Sequence, residues 1–151
     1  MNETKRQGQS LASSGLSHIT FVVKDLDRME QILTRVLGAV RVYDSGVETF
    51  SISKERFFLI GEGPSATWVA TMQGDGSLPA SYNHAAFQVH EAALSQLREV
   101  ISSLGLEIRP PRTRIDGEGQ SLYFYDEDNH LFELHTGTLR DRLLTYEARP
   151  A

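Results

Sequence analysis

The chain has 151 residues, 40% of them hydrophobic, which is enough for one domain with a buried core. A formal charge of −5 and a pI near 5.5 leave no basic cluster to neutralise a phosphate backbone, which argues against nucleic acid as a partner. There is no cysteine, so disulfides, thiolate metal sites and cysteine nucleophiles drop out together, and a reducing compartment fits. No run of about 18 apolar residues could span a membrane. The opening stretch MNETKRQGQSLASS lacks the apolar segment of a signal peptide. Residues 1–14 are therefore expected to be a flexible tail on a single domain, 15–151, of a cytoplasmic protein.

From Ser17 the chain alternates, with Ile19, Phe21 and Val23 on one face and His18, Thr20 and Val22 on the other, as a half-buried strand does. The period then changes. Asp25 and Asp27 can cap a helix in which Met29, Ile32, Leu33, Val36 and Leu37 recur at helical spacing until Gly38 ends it. Three strand-like segments follow: VRVYDS, TFSISKERFFLIG, which contains a turn, and ATWVATMQ. The same order then repeats. Ala85, Phe87 and Val89 alternate after His84, and a helix carrying Ala93, Leu94, Leu97, Val100 and Ile101 ends at Gly105. The segments LEIRPP, QSLYFYDED and HLFELHTG complete the second copy.

His18 lies 20 positions before Gly38 and His84 lies 21 before Gly105, so the two copies are offset by about 66 residues. The unit is βαβββ, present twice, with modules at about 15–75 and 80–140. An α+β fold follows, in which each helix covers one face of its sheet and the two modules pair to form a cleft. Both histidines lie opposite the helix-packing residues and are expected to face that cleft.

The last strand offers a third donor. Phe132 and Leu134 share one face while Leu131, Glu133 and His135 share the other. Matching Gly137 with Gly74 sets Glu133 against Ala70 of the first copy. The four symmetric positions then read His18, Ala70, His84 and Glu133, three donors and a gap. Two neutral imidazoles and one carboxylate suit a divalent first-row metal with coordination positions left for substrate. His135 is the rival third ligand. His90 and His130 fall near segment ends, where solvated side chains are expected.

The stretches GLSHIT, SISKERFFLI, YNHAAF and GEGQSLYFYDEDNHLFELHTGTLRDRL resemble the vicinal oxygen chelate (glyoxalase/bleomycin resistance/dioxygenase) superfamily, and within it the fosfomycin resistance proteins. The similarity runs from about Gly15 to the C-terminal helix. It implies a Mn²⁺-dependent enzyme, a homodimer with sites completed by both subunits, and a small epoxide bearing a phosphonate as substrate. Arg142, in TLRDRL, matches the family's phosphonate-binding arginine. Tyr82, Ser121 and Tyr123 match oxygen-binding positions, as does Thr20, which would hydrogen-bond the emerging alkoxide. A phosphonate dianion needs such cationic and hydroxyl donors. One departure stands out: the glutathione-using branch carries a lysine before its Gly-rich loop, where this chain reads RTRIDGEG. Arg112 or Arg114 can replace its charge, and the sequence does not choose between them.

Branches of the family differ in nucleophile, using glutathione, a bacillithiol-like thiol, or water. Water needs a positioned general base. By composition alone Lys54, Glu55 and Arg56 read as a charged turn, whereas the resemblance of FSISKERFFLI to the epoxide hydrolase branch makes Glu55 that base. The implied reaction is hydrolysis of fosfomycin to a vicinal diol, with Mn²⁺ held by His18, His84 and Glu133. The alternatives within the same fold are a thiol transferase, an extradiol dioxygenase and a non-catalytic drug-binding protein.

Overall fold

The computed structural model describes residues 12–47, 51–76 and 78–148. The first alternating run forms β1 (His18–Val23), and the helical-period run forms α1 (Leu26–Leu37). Asp25 caps α1 by accepting the Arg28 N–H at 3.0 Å, and Gly38 closes it in the left-handed conformation at φ 64°. Next come β2 (Val40–Asp44), β3 (Glu55–Ile60) and β4 (Thr67–Gln73). The second module contains β5 (His84–Gln88), α2 (Leu94–Ser103), β6 (Ile108–Arg109), β7 (Ser121–Tyr125) and β8 (Leu131–His135), and α3 (Leu139–Glu147) follows.

Two of the expected segments are shorter than the sequence pattern implied. The segment TFSISKERFFLIG pairs only from Glu55, after a bend at residues 51–53, so Glu55 and Arg56 are strand residues and not a charged turn. Its first two residues, Thr49 and Phe50, lie outside the described residues, as does most of the expected tail. LEIRPP yields two strand residues, because Pro110 and Pro111 have no N–H to extend the ladder.

Each module is a four-stranded sheet, ordered β1-β4-β3-β2 and β5-β8-β7-β6. The first and last strands of a module run parallel, and the other pairs are antiparallel. The registers match between copies. Thr20 sits opposite Ala70, and Ala86 sits opposite Glu133, so Ala70 and Glu133 are equivalent positions, as the internal repeat predicts.

One core serves both modules. It joins Phe21 and Val23 of β1, the buried row of α1, Phe58 and Val69 from the first sheet, and Ile101, Phe124, Phe132 and Leu134 from the second half. Phe132 lies at its centre, with ring centroids 5.1 Å from Phe21 and 5.2 Å from Phe124. Because the helix-covered sides of both sheets meet in this core, the opposite faces remain open, and His18, Thr20 and His84 are exposed. Among the described residues, no helix is long and apolar enough to cross a membrane.

Truncating Phe132 therefore damages both modules at once. Phe132→Ala should cost about 3 to 5 kcal/mol, the usual range for a buried aromatic, and urea unfolding should show one transition at a lower midpoint. Two separate transitions, with only one shifted, would contradict a shared core.

Candidate active site

The open face of the second sheet is built from two adjacent rungs. Ala86, Glu133 and Tyr123 form one, and Gln88, His135 and Ser121 form the next. Period-two alternation thus delivers Ser121, Tyr123, Glu133 and His135 to the same side. His84 begins β5 on that side too, and its Nε2 lies 2.8 Å from Glu133 Oε2.

Glu133 is 5% exposed, so its charge must be met by partners. Its Oε1 accepts the Ser121 hydroxyl at 2.6 Å and the Arg114 guanidinium at 3.1 Å. Burial pushes its pKa up, but hydrogen bonds with Ser121 and Tyr123 and the charges of His84 and His135 outweigh this, and the carboxyl ends below its ordinary value. Burial, followed by hydrogen bonding with Tyr82 and Glu133, drives the Tyr123 phenol upward, so it is a neutral donor.

The other side of His84 carries an informative contact. Its Nδ1 lies 2.7 Å from the Tyr82 carbonyl oxygen, so the ring faces an acceptor at each nitrogen. Both acceptors are satisfied by a doubly protonated ring, or by a neutral ring with Nδ1–H on the carbonyl and a cation between Nε2 and Glu133. A backbone carbonyl that fixes the tautomer in this way is a common support for a metal-binding imidazole.

Arg114 is the arginine that reaches the site. Its Nη2 donates to Ser121 at 2.6 Å and to the Tyr123 hydroxyl at 3.2 Å, while its Nε and Nη1 are buried without partners among the described residues. Arg112 turns instead to Glu118, at 3.0 Å. Residues two apart on extended chain share a side, so strand parity could not separate the two arginines. The glutamate of the GEG turn was the available signal, since it needs one arginine for itself. Arg142, half-buried on α3, lines a cavity of about 300 Å³ with His84, Ala86, Glu133 and His135. Tyr82 is 60% exposed, and its hydroxyl donates to Tyr123 at 3.2 Å.

The remaining expected site residues lie on the open face of the first sheet. His18 stacks on Trp68 with centroids 4.2 Å apart, and its Nδ1 is 3.1 Å from the Ser17 hydroxyl. Thr20 is on the next rung. Glu55 pairs with Met72, which is also opposite Val22, so Glu55 shares that face one rung further along. The structure therefore brings His84 and Glu133 together and keeps His18 apart from them. Among the described residues, no three His, Cys, Asp or Glu side chains are grouped closely enough to hold a metal.

His135 lies 2.8 Å from the Ser121 hydroxyl through Nδ1. Burial, with the charges of Arg114 and Arg142 and against that of Glu133, holds its imidazole below its ordinary pKa. His90 is exposed, as expected. His130 is not solvated as the sequence suggested: Asn129, at φ 67°, turns the DEDNH loop tightly enough for His130 Nδ1 to meet Asp126 at 2.7 Å, with its ring edge-on to Phe21.

Residues 15–134 match the family model of the Glyoxalase/Bleomycin resistance protein/Dioxygenase superfamily. The chain belongs to this superfamily. It is 55% identical over 129 residues to the fosfomycin resistance protein FosX of Mesorhizobium japonicum, covering 85% of this chain and 90% of that one. Identity to FosX of Listeria monocytogenes is 50% over 133 residues, covering 88% and 97%. A crystal structure of a mutant of the Listeria monocytogenes FosX, complexed with Mn(II) and 1S,2S-dihydroxypropylphosphonic acid, superposes with a TM-score of 0.78. It is 47% identical in sequence, with 89% of this chain and 99% of that one covered.

The donors of this face fit a divalent first-row cation. Glu133 is a buried carboxylate, His84 presents Nε2 beside it, and His18 is a further exposed imidazole on the first sheet. In calorimetric titrations with a divalent cation, His84→Ala and Glu133→Ala should each abolish tight binding, and His135→Ala should leave it within a few-fold. The reverse ranking of Glu133 and His135 would make His135 the ligand.

Proposed function

We propose that the protein is a Mn²⁺-dependent hydrolase that opens the epoxide of fosfomycin to the vicinal diol and so confers resistance to it. The observation that carries this reading is the composition of one sheet face. An imidazole–carboxylate pair suited to a cation lies next to an arginine, Arg114, whose Nε and Nη1 are buried and unpartnered among the described residues. A small phosphonate with an adjacent oxygen needs that combination.

His84 and Glu133 would hold the manganese together with His18 from a second copy of the chain. When bound, the cation polarises the epoxide oxygen and offsets the charge that develops on it as the ring opens. Arg142 and Arg114 bind the phosphonate, with the Ser121, Tyr123 and Tyr82 hydroxyls completing its hydrogen bonds. Glu55 takes a proton from water as the water oxygen attacks the carbon next to phosphorus. Thr20 donates a hydrogen bond to the ring oxygen as its bond to that carbon breaks, and the alkoxide takes up a proton from solvent to complete the diol. The Glu55 carboxylate is suited to its task, because it makes no hydrogen bond or ion pair among the described residues, whereas its neighbour Arg56 turns to Asp27, Glu30 and Asp44.

The two half-sites call for a homodimer in which the first sheet of one copy faces the second sheet of the other. Exposed apolar side chains supply surface for such an assembly: Val40 and Val42 on β2, and Leu139, Leu143 and Leu144 on α3. The absence of cysteine is in keeping with action in the cytoplasm.

Phosphorus NMR of fosfomycin with Mn²⁺-loaded protein tests the reaction directly. Diol should form without added thiol, and Glu55→Gln should slow it by ~10² to 10⁴, the usual cost of a lost general base. An adduct that forms only with glutathione would make the protein a thiol transferase, and an unimpaired Glu55→Gln variant would remove Glu55 from the chemistry.

A further inference from the structure

The GEG turn and the HTG that ends β8 belong to the most distinctive stretch of the sequence, and the reaction above uses neither. In the fold they form a junction. Glu118 is 2% exposed, yet it lies between two exposed positions of the loop, Gly117 and Gln120. Its carboxylate accepts the Arg112 guanidinium at 3.0 Å and the Ile115 N–H at 2.8 Å, and the Tyr146 hydroxyl of α3 donates to it as well. With the guanidinium and the phenol beside it, the carboxyl is held down at about 2, so the charge is permanent at any working pH.

The backbones at this junction are close enough to exclude side chains. A Cβ on Gly137 would lie 2.6 Å from the Glu118 carbonyl oxygen and one on Gly119 2.7 Å from the Gly137 backbone nitrogen, while one on Gly117 would lie 2.5 Å from the side-chain hydroxyl of Thr145 on α3. Loop, strand end and helix are thus pressed together, with Glu118 as the charged centre. Each of the two cations of the site is attached to one arm. Arg114 lies between Arg112 and Ile115, both bonded to Glu118, and Arg142 lies one helical turn before Tyr146, on the same side of α3.

We infer that Glu118 and Tyr146 form a clamp that positions Arg114 and Arg142 for their anion, making both positioning residues of the reaction. This rests on the reading that the site takes a phosphonate. Neither side chain touches the site itself, and the clamp acts by fixing the spacing of two guanidinium groups carried on a loop and a helix that pack through glycines. Anion recognition by paired arginines depends on such spacing within a fraction of an ångström.

The test uses the full-length Mn²⁺-loaded protein with Tyr146→Phe, which removes one hydroxyl, and Glu118→Gln, which keeps the shape and removes the charge. For Tyr146→Phe the KM for fosfomycin should rise about five-fold, part of the roughly ten-fold or more that one hydrogen bond to a charged group is worth, because the hydroxyl acts on the anion only through the two arginines, with kcat within two-fold and Mn²⁺ affinity unchanged. Glu118→Gln should show a larger rise in the same parameter. A residue that only stabilises the fold would lower the melting temperature and leave KM alone, and that result overturns the clamp. A second measurement does not depend on turnover: the side-chain Nε–H signals of Arg114 and Arg142, followed by nitrogen-15 NMR during titration with inorganic phosphate. Both signals should move in Tyr146→Phe, and phosphate should bind several-fold more weakly than to wild type. If wild type fails to hydrolyse fosfomycin, the functional reading falls, while these arginine signals still decide the clamp. Signals identical to wild type would refute it.

Discussion

A carboxylate that is 5% exposed sets the terms for the rest of the second sheet. Leaving Glu133 unpaired would cost several kcal/mol, and removing one partner of a buried charge is about as damaging. Its partners come from three directions: His84 from the neighbouring parallel strand, Ser121 from the antiparallel one, and Arg114 from the loop before it. The registers of β5, β7 and β8 and the path of the loop are therefore tied to one side chain. The same ties orient the groups proposed to bind the phosphonate. Ser121 and Arg114 are directed by Glu133, and Tyr123 is held by Arg114 and Tyr82.

The two open faces differ in chemistry. The second sheet concentrates charge, with Glu133, Arg114 and Arg142, and hydroxyls to match. The first sheet presents a rim of aromatics, Tyr43, Phe57 and Trp68, next to His18, with Glu55 farther along. Such a division has a physical advantage. A general base on the same face as two arginines would be captured as an ion pair and lose basicity. Carried on the other sheet, with Arg56 committed to Asp27, Glu30 and Asp44 on the opposite side of β3, the Glu55 carboxylate remains available.

Much of this was legible in the sequence because it follows from period and symmetry. Alternation placed His18 with Thr20 and Glu133 with His135, and the internal repeat paired Glu133 with Ala70, as the strand registers do. The caps at Asp25 and Gly38 were legible for the same local reason. What the sequence did not give depends on tertiary contacts. Arg112 and Arg114 have the same parity, and only the buried Glu118 separates them. His130 looked like a loop residue until a left-handed Asn129 folded it onto Asp126. The separation of His18 from His84 and Glu133 depends on which sides of the sheets share the core, and Phe132 and its neighbours decide that through contacts no local pattern encodes.

If each site is assembled from the first sheet of one chain and the second sheet of another, mixing two inactive variants restores activity. Glu55→Gln disables the first-sheet face and Glu133→Ala the second. Each alone should be inactive in fosfomycin hydrolysis with Mn²⁺. Dissociated and reassembled together in equal amounts, they should recover about a quarter of wild-type activity, since half the dimers are mixed and each mixed dimer has one intact site of two. If the mixture stays as inactive as its parents, although mass spectrometry shows mixed dimers, the site is not shared between two chains.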